Sequence, residues 1–104
     1  MQMEKGDGNE TVNEWADMDR QVTIQNKLGL HARPAMQFVD VANQFQAGIK
    51  VWKGDQMVDG KSIMQMMMLA ATAGTALKIV AEGEDAGPAL DALEQLVNNR
   101  FGEE

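Results

Sequence analysis

The chain contains no cysteine. That excludes a disulfide framework, a thiolate metal site and a cysteine nucleophile. It has a single histidine, so a histidine-rich metal site within one chain is excluded too. Basic residues are few, nine Lys and Arg against sixteen Asp and Glu, for a net charge of −7. A nucleic-acid surface would need the opposite balance. No apolar run reaches the roughly 18 residues of a membrane span. The N-terminus is acidic and polar, unlike a signal or transit peptide. These absences lead us to expect a soluble cytoplasmic protein without nucleic-acid or membrane partners.

What is present is 104 residues with 44% hydrophobic content, enough for one small domain with a modest core. Residues 1–19 carry six acidic side chains against Lys5 alone, which places −5 of the net −7 there. Their apolar residues show no period, so residues 1–19 read as a disordered acidic extension and 20–104 as the folded domain. Trp15 is a candidate anchor for that extension, and Met18 an alternative translation start.

The lone histidine stands in Leu28-Gly29-Leu30-His31-Ala32-Arg33-Pro34-Ala35. Gly29 permits a tight turn, and Pro34 suits a first helical turn, where an N–H would lack a partner. Ala35, Phe38, Val39 and Ala42 then recur at helical spacing, predicting a helix from Ala32 to Asn43 or Gln44. His31 therefore sits at a helix N-terminus with Arg33 just inside. Free backbone N–H groups and the positive end of the helix dipole favour an anion there. A phosphoryl group on the ring would meet backbone donors and the Arg33 guanidinium. The competing reading is a capping or core histidine with no chemistry.

The rest of the chain supplies the other elements. A first strand is predicted around Val22-Thr23-Ile24, starting at Gln21. Ile49 to Lys53 alternates as a second strand, turning at Gly54-Asp55 into a return strand at Gln56-Met57-Val58. Ser62 is a favoured N-cap for a short helix from Ile63 to Leu69 or Ala70. Residues 66, 69, 70 and 73 form one stripe at helical spacing, suited to burial, while 63, 64, 67 and 68 form another. Ala76 to Glu82 is the last strand. Asp85 is positioned to cap a final helix carrying Leu90, Leu93, Leu96, Val97 and Phe101 inward. The order βαββαβα predicts an α+β open-faced two-layer sandwich, a four-stranded sheet covered by three helices. Gly60-Lys61-Ser62 looks like the end of a phosphate-binding P-loop, but Asp55 stands where the first glycine is required, so a nucleotide site is rejected. We expect no metal, nucleotide or organic cofactor.

The stretch Leu28–Ala35 closely resembles the active-site stretch of the HPr family, the histidine-containing phosphocarriers of the bacterial sugar phosphotransferase system. Gly60-Lys61-Ser62-Ile63-Met64 resembles that family's regulatory serine site, and Ala81–Asp85 before the last helix also fits. The resemblance runs from about Arg20 to Phe101. It implies an antiparallel sheet. It implies that His31 accepts a phosphoryl group on its pros nitrogen, Nδ1, from enzyme I, with phosphoenolpyruvate as ultimate donor. The group then passes to the A domain of a sugar-specific enzyme II. The protein would be a phosphohistidine intermediate rather than a turnover enzyme. Arg33 would stabilise the phosphoryl group, and Ala32 and Arg33 would cradle it through their amides. Ser62 would be the target of a serine kinase/phosphorylase. Met36, Ile63, Met64 and Met67 would meet partners, and the chain would act as a monomer. An alternative within the resemblance is a regulatory phosphorelay or adaptor paralogue, nitrogen-related or from an incomplete system, acting on a transcription regulator or kinase. Three features depart from the family pattern. They are the acidic extension, Asp40 where a basic residue is common, and Ala70 in place of a common glycine.

Overall fold

The computed structural model describes residues 18–104. The acidic run through Asp17 and the anchoring expectation for Trp15 lie outside the described residues. Four strands and three α-helices follow in the predicted order. They are β1 (Met18–Thr23), α1 (Ala32–Ala42), β2 (Gly48–Lys53), β3 (Gln56–Asp59), α2 (Ile63–Met68), β4 (Ala76–Glu82) and α3 (Ala86–Asn98), with a terminal 3₁₀ turn at Arg100–Gly102. The sheet order is β1-β4-β2-β3, and every pairing is antiparallel.

The pleat sorts the side chains into two sets. Val22, Ile49, Val51, Val58, Leu77, Ile79 and Ala81 point to one face and are buried. Strand alternation sends Gln21, Lys78, Trp52 and Met57 to the other face, in one cross-strand row. The helices cover the apolar face. Phe38 of α1, Met66 of α2 and Leu90, Leu93 and Val97 of α3 are completely enclosed there.

Several boundaries differ from the sequence reading. β1 starts at Met18, because Met18 and Asp19 pair with Ala81 and Val80 of β4. These two residues thus belong to the sheet rather than to the extension. The reason is pairing: the run Met18-Asp19-Arg20 has no strand pattern, and β4 supplies the ladder. Arg20 adds a bridge to α3, reaching Asp91 at 2.9 Å and Glu94 at 2.6 Å. Those two carboxylates raise the pKa of the Arg20 guanidinium, Glu94 contributing most.

The helix α2 stops at Met68, short of Ala70. Ala70 takes a left-handed conformation with φ 50°. Met66 and Leu69 are buried as their stripe predicts, but Ala70 and Ala73 fall beyond the helix and are exposed. Asp85 occupies the N-cap position of α3 without capping it through its side chain. Its carboxylate instead accepts from the amides of Gln46 and Ala47, both at 2.8 Å. Those bonds, the Gln46 amide foremost, hold the Asp85 pKa below its ordinary value.

Candidate functional site

His31 is the N-cap residue of α1, with extended backbone (φ −78°, ψ −171°), and its side chain caps nothing. The side chain is 37% exposed. The next four residues explain which backbone donors remain. Pro34 has no N–H, and the Ala35 amide already donates to the His31 carbonyl at 3.0 Å. The amides of Ala32 and Arg33 open the helix and lack a carbonyl one turn back. They are the donors available beside the ring. Arg33 is exposed and makes no ion pair with another described residue.

The loop before His31 is held by distant parts of the chain. Gly29 has φ 72°, and a Cβ there would stand 2.5 Å from the Ala71 carbonyl oxygen. The same carbonyl accepts from the Leu30 amide at 2.8 Å. Only glycine lets the two backbones meet this closely. Asn26, completely buried, donates from Nδ2 to the Gly29 carbonyl at 2.7 Å. So the segment after α2 and a buried amide together set the position of the His31 turn.

The structure also brings in a group that no local pattern announced. The Glu103 carboxylate lies against His31 Nε2, at 3.0 Å from Oε1 and 2.9 Å from Oε2. Asn26 Nδ2 donates to the same Oε1 at 3.1 Å. The chain reaches this point through three consecutive left-handed residues, Arg100 (φ 58°), Phe101 (φ 53°) and Gly102 (φ 74°). Two non-glycine residues in that region cost of order 1–3 kcal/mol each. Burial of the Phe101 ring and a 2.6 Å bond from the Lys27 amide to the Glu104 carbonyl offset this. The turn ends by pointing Glu103 back at the ring, 72 residues away in sequence. The His31 hydrogen bond is the main cause that lowers the Glu103 pKa; desolvation opposes it, and the Asn26 bond and the positive charges of His31 and Arg33 lower it further.

This contact decides the tautomer. An ionised carboxylate only accepts, so Nε2 must carry the proton that it receives. In the neutral ring the lone pair is then on Nδ1, the nitrogen that makes no hydrogen bond with another described residue. The arrangement is a ring nitrogen with an available lone pair, at a helix start whose first two amides lack an intrahelical acceptor, with an exposed arginine two residues on and a carboxylate holding the other nitrogen. It suits uptake of a compact, highly charged electrophile such as a phosphoryl group.

Ser62 lies at a separate helix start. Its Oγ accepts from the Gln65 amide at 3.2 Å, the predicted cap of α2. The Gln65 side chain reaches back to the Asp59 amide at 2.9 Å, and Lys61 Nζ donates to the Phe45 carbonyl at 2.8 Å. No hydrogen bond joins Ser62 to the His31 cluster among the described residues. Ile63, Met64, Met67 and Met68 are exposed on α2, and Met36 and Asp40 are exposed on α1. The two helices pack against each other. Met36 and the α2 methionines thus belong to neighbouring elements.

Residues 18–99 match the family model described as the PTS HPr component phosphorylation site. The phosphocarrier protein HPr of Pseudomonas aeruginosa is 52% identical over 84 residues, which is 80% of this chain and 93% of that protein. The phosphocarrier protein NPr of Shewanella violacea is 40% identical over 86 residues, 83% of this chain and 94% of that one. Among solved structures, HPr-C-His from Thermoanaerobacter tengcongensis superposes with a TM-score of 0.81 at 44% identity, covering 84% of this chain and 98% of that chain. The sandwich, the histidine-bearing helix start and these likenesses agree, and the chain belongs to the HPr phosphocarrier family of the phosphotransferase system.

Proposed function

We propose that the chain carries a phosphoryl group on His31 Nδ1. It receives the group from enzyme I, with phosphoenolpyruvate as ultimate donor, and passes it to the A domain of a sugar-specific enzyme II. The observation that carries this reading is the pair of short contacts from Glu103 to Nε2. The Nδ1 lone pair attacks phosphorus, a nitrogen–phosphorus bond forms, and the donor's bond to phosphorus breaks. No proton has to leave Nδ1. The ring keeps its Nε2–H and becomes cationic, and the Glu103 carboxylate then accepts a charge-assisted bond. The amides of Ala32 and Arg33 and the Arg33 guanidinium face the phosphoryl oxygens. Because the ring lies at the surface, the group remains accessible to the next acceptor.

Ser62 is the regulatory position in this reading. A serine kinase/phosphorylase adds about −1.5 to −2 charge at the start of α2, beside an apolar docking surface. Ile63, Met64 and Met67, with Met36, form that surface. Flexible, polarizable methionine suits contact with several partners. A phosphate at its edge opposes docking on an acidic partner.

The test is incubation with enzyme I and phosphoenolpyruvate. One acid-labile phosphoryl group per chain is expected, and none on His31→Ala. Equal labelling of that variant would sink the proposal. A second reading is a regulatory relay, nitrogen-related or from an incomplete system, that acts on a transcription regulator or kinase rather than on sugar uptake. It is favoured by the NPr relative at 40% identity and by exposed Asp40, which alters charge on the docking side. Transfer from the phosphorylated chain to nitrogen-branch A domains, but not sugar-specific ones, would select it.

A further inference from the structure

Methionine is usually among the buried residues. Here the pattern is inverted. Met64 is 78% exposed, Met68 66%, and Met36, Met57 and Met67 between 44% and 49%, while Met66 is 0% exposed. Met64, Met67 and Met68 stand at i, i+3 and i+4 on α2, so their side chains share one face of the helix. With no cysteine in the chain, thioethers are its most oxidisable sulfur. Changing these three side chains touches none of the bonds that hold the helix. Its N-terminus rests on Ser62 and its C-terminal end on Lys53 Nζ, which donates to the Leu69 carbonyl at 2.6 Å.

We propose that Met64, Met67 and Met68 form an oxidation-sensitive site, where conversion to sulfoxides by a peroxide disables partner docking without disturbing His31. The inference rests on the reading of α2 as a partner surface. In the step, a sulfur lone pair attacks one peroxide oxygen. A sulfur–oxygen bond forms, the oxygen–oxygen bond breaks, and a proton shift releases water. Sulfur loses two electrons and the peroxide gains them. A dithiol reductant reverses the change, giving thioether, water and a disulfide. The sulfoxide oxygen is a strong hydrogen-bond acceptor, and docking would have to strip its water without replacing it. Met66 is spared because no oxidant reaches it. His31 and Arg33 carry no sulfur and keep their geometry.

Three measurements test this on the full chain. Peptide mapping after graded hydrogen peroxide should find Met64 and Met68 modified first and Met66 last. Oxidised protein should then show a KM for phosphorylation by enzyme I raised about tenfold with kcat unchanged, since a tenfold change needs only the docking loss of one poorly satisfied polar group. A variant with Met64→Leu, Met67→Leu and Met68→Leu, and with Met36→Leu because Met36 is as exposed as Met67, should keep its own KM through the same treatment. A methionine sulfoxide reductase with dithiothreitol should restore the wild type. Oxidation of Met66 as fast as Met64, or an unchanged KM once the three sulfoxides are formed, overturns the proposal. Unoxidised Met64→Glu separates the two readings. If its KM rises while peroxide has no effect, α2 is a docking surface but not an oxidation-sensitive one. If its KM is unchanged, the docking reading fails and this one with it.

Discussion

The two helix starts that matter here are built in opposite ways. The start of α2 is local: Ser62 caps Gln65 three residues on, and Gln65 reaches back six residues to Asp59. The start of α1 is assembled from afar. Its histidine is buttressed by Glu103 from 72 residues away, and its loop is seated on Ala71 and Asn26. The difference fits the roles proposed for the two. A nucleophilic nitrogen has to be presented in one tautomer and one direction, so remote groups over-determine it. A docking surface has to accommodate several partners, so a short capped helix with flexible side chains suffices.

That contrast can be broken most severely at Gly29. Gly29→Ala forces a Cβ to 2.5 Å from the Ala71 carbonyl oxygen at φ 72°. We expect a loss of about 2–3 kcal/mol of stability by denaturant unfolding, together with greatly slowed labelling of His31. The same change of side chain at Gly54, where a Cβ meets nothing within 4 Å, should leave labelling intact.

Glu103→Gln removes the carboxylate's charge from the α1 start without removing volume. An amide can donate as well as accept, so it no longer requires the proton on Nε2. Labelling by enzyme I should slow about 10- to 100-fold in kcat with little change in KM, the usual scale for losing a residue that orients another. Nitrogen NMR of His31 should show the Nε2–H tautomer weakened. A rate within twofold of wild type would mean that the carboxylate is a bystander.

The pH response of this clamp has a definite sign. The Glu103 pKa is lowered by its bond to His31, and that of Asp85 by the Gln46 and Ala47 amides. A carboxyl with a depressed folded pKa contributes stability above its unfolded value and loses it as pH falls through the folded one. Thermal stability should therefore drop on acidification through and below the ordinary carboxylate range. Asp85→Asn and Glu103→Gln should each flatten part of that drop.

At the α2 end the expected effects are smaller. Ser62→Ala should cost about 1 kcal/mol through the lost cap, measured by thermal unfolding, and leave His31 labelling unchanged. Ala70→Gly should gain up to about 1 kcal/mol, because glycine accepts φ 50° without the Cβ penalty. If Ser62→Ala slowed labelling as much as Glu103→Gln, the two helix starts would not be separable.

Much of the fold was legible because it depends on short periods. β4 runs from Ala76 to Glu82 as its alternation predicts, and α1 starts at Ala32 behind His31. The burial of Met66 and Leu69 and the exposure of Met64, Met67 and Met68 follow from one helical stripe. The misses share a cause. Met18 and Asp19 became strand because β4 offered hydrogen bonds, which no local residue encodes. Asp85 turned from its own helix to the Gln46 and Ala47 amides, partners 39 and 38 residues away. Ala70 carries no left-handed preference, and α2 ended before it with Lys53 bonded to the Leu69 carbonyl.

Residue order alone places one imidazole at a helix start, with Arg33 two positions on and two amides that lack an intrahelical acceptor. Those are consequences of residue type and spacing over a few positions. The physical reason why Nδ1, the nitrogen that the family resemblance implies, is the free one lies in the folded chain. Glu103 is an ordinary acidic residue near the chain's end until the left-handed turn at Arg100–Gly102 folds it back. A proton's position on a ring depends on what lies within about 3 Å of it, and only the folded chain brings Glu103 that close.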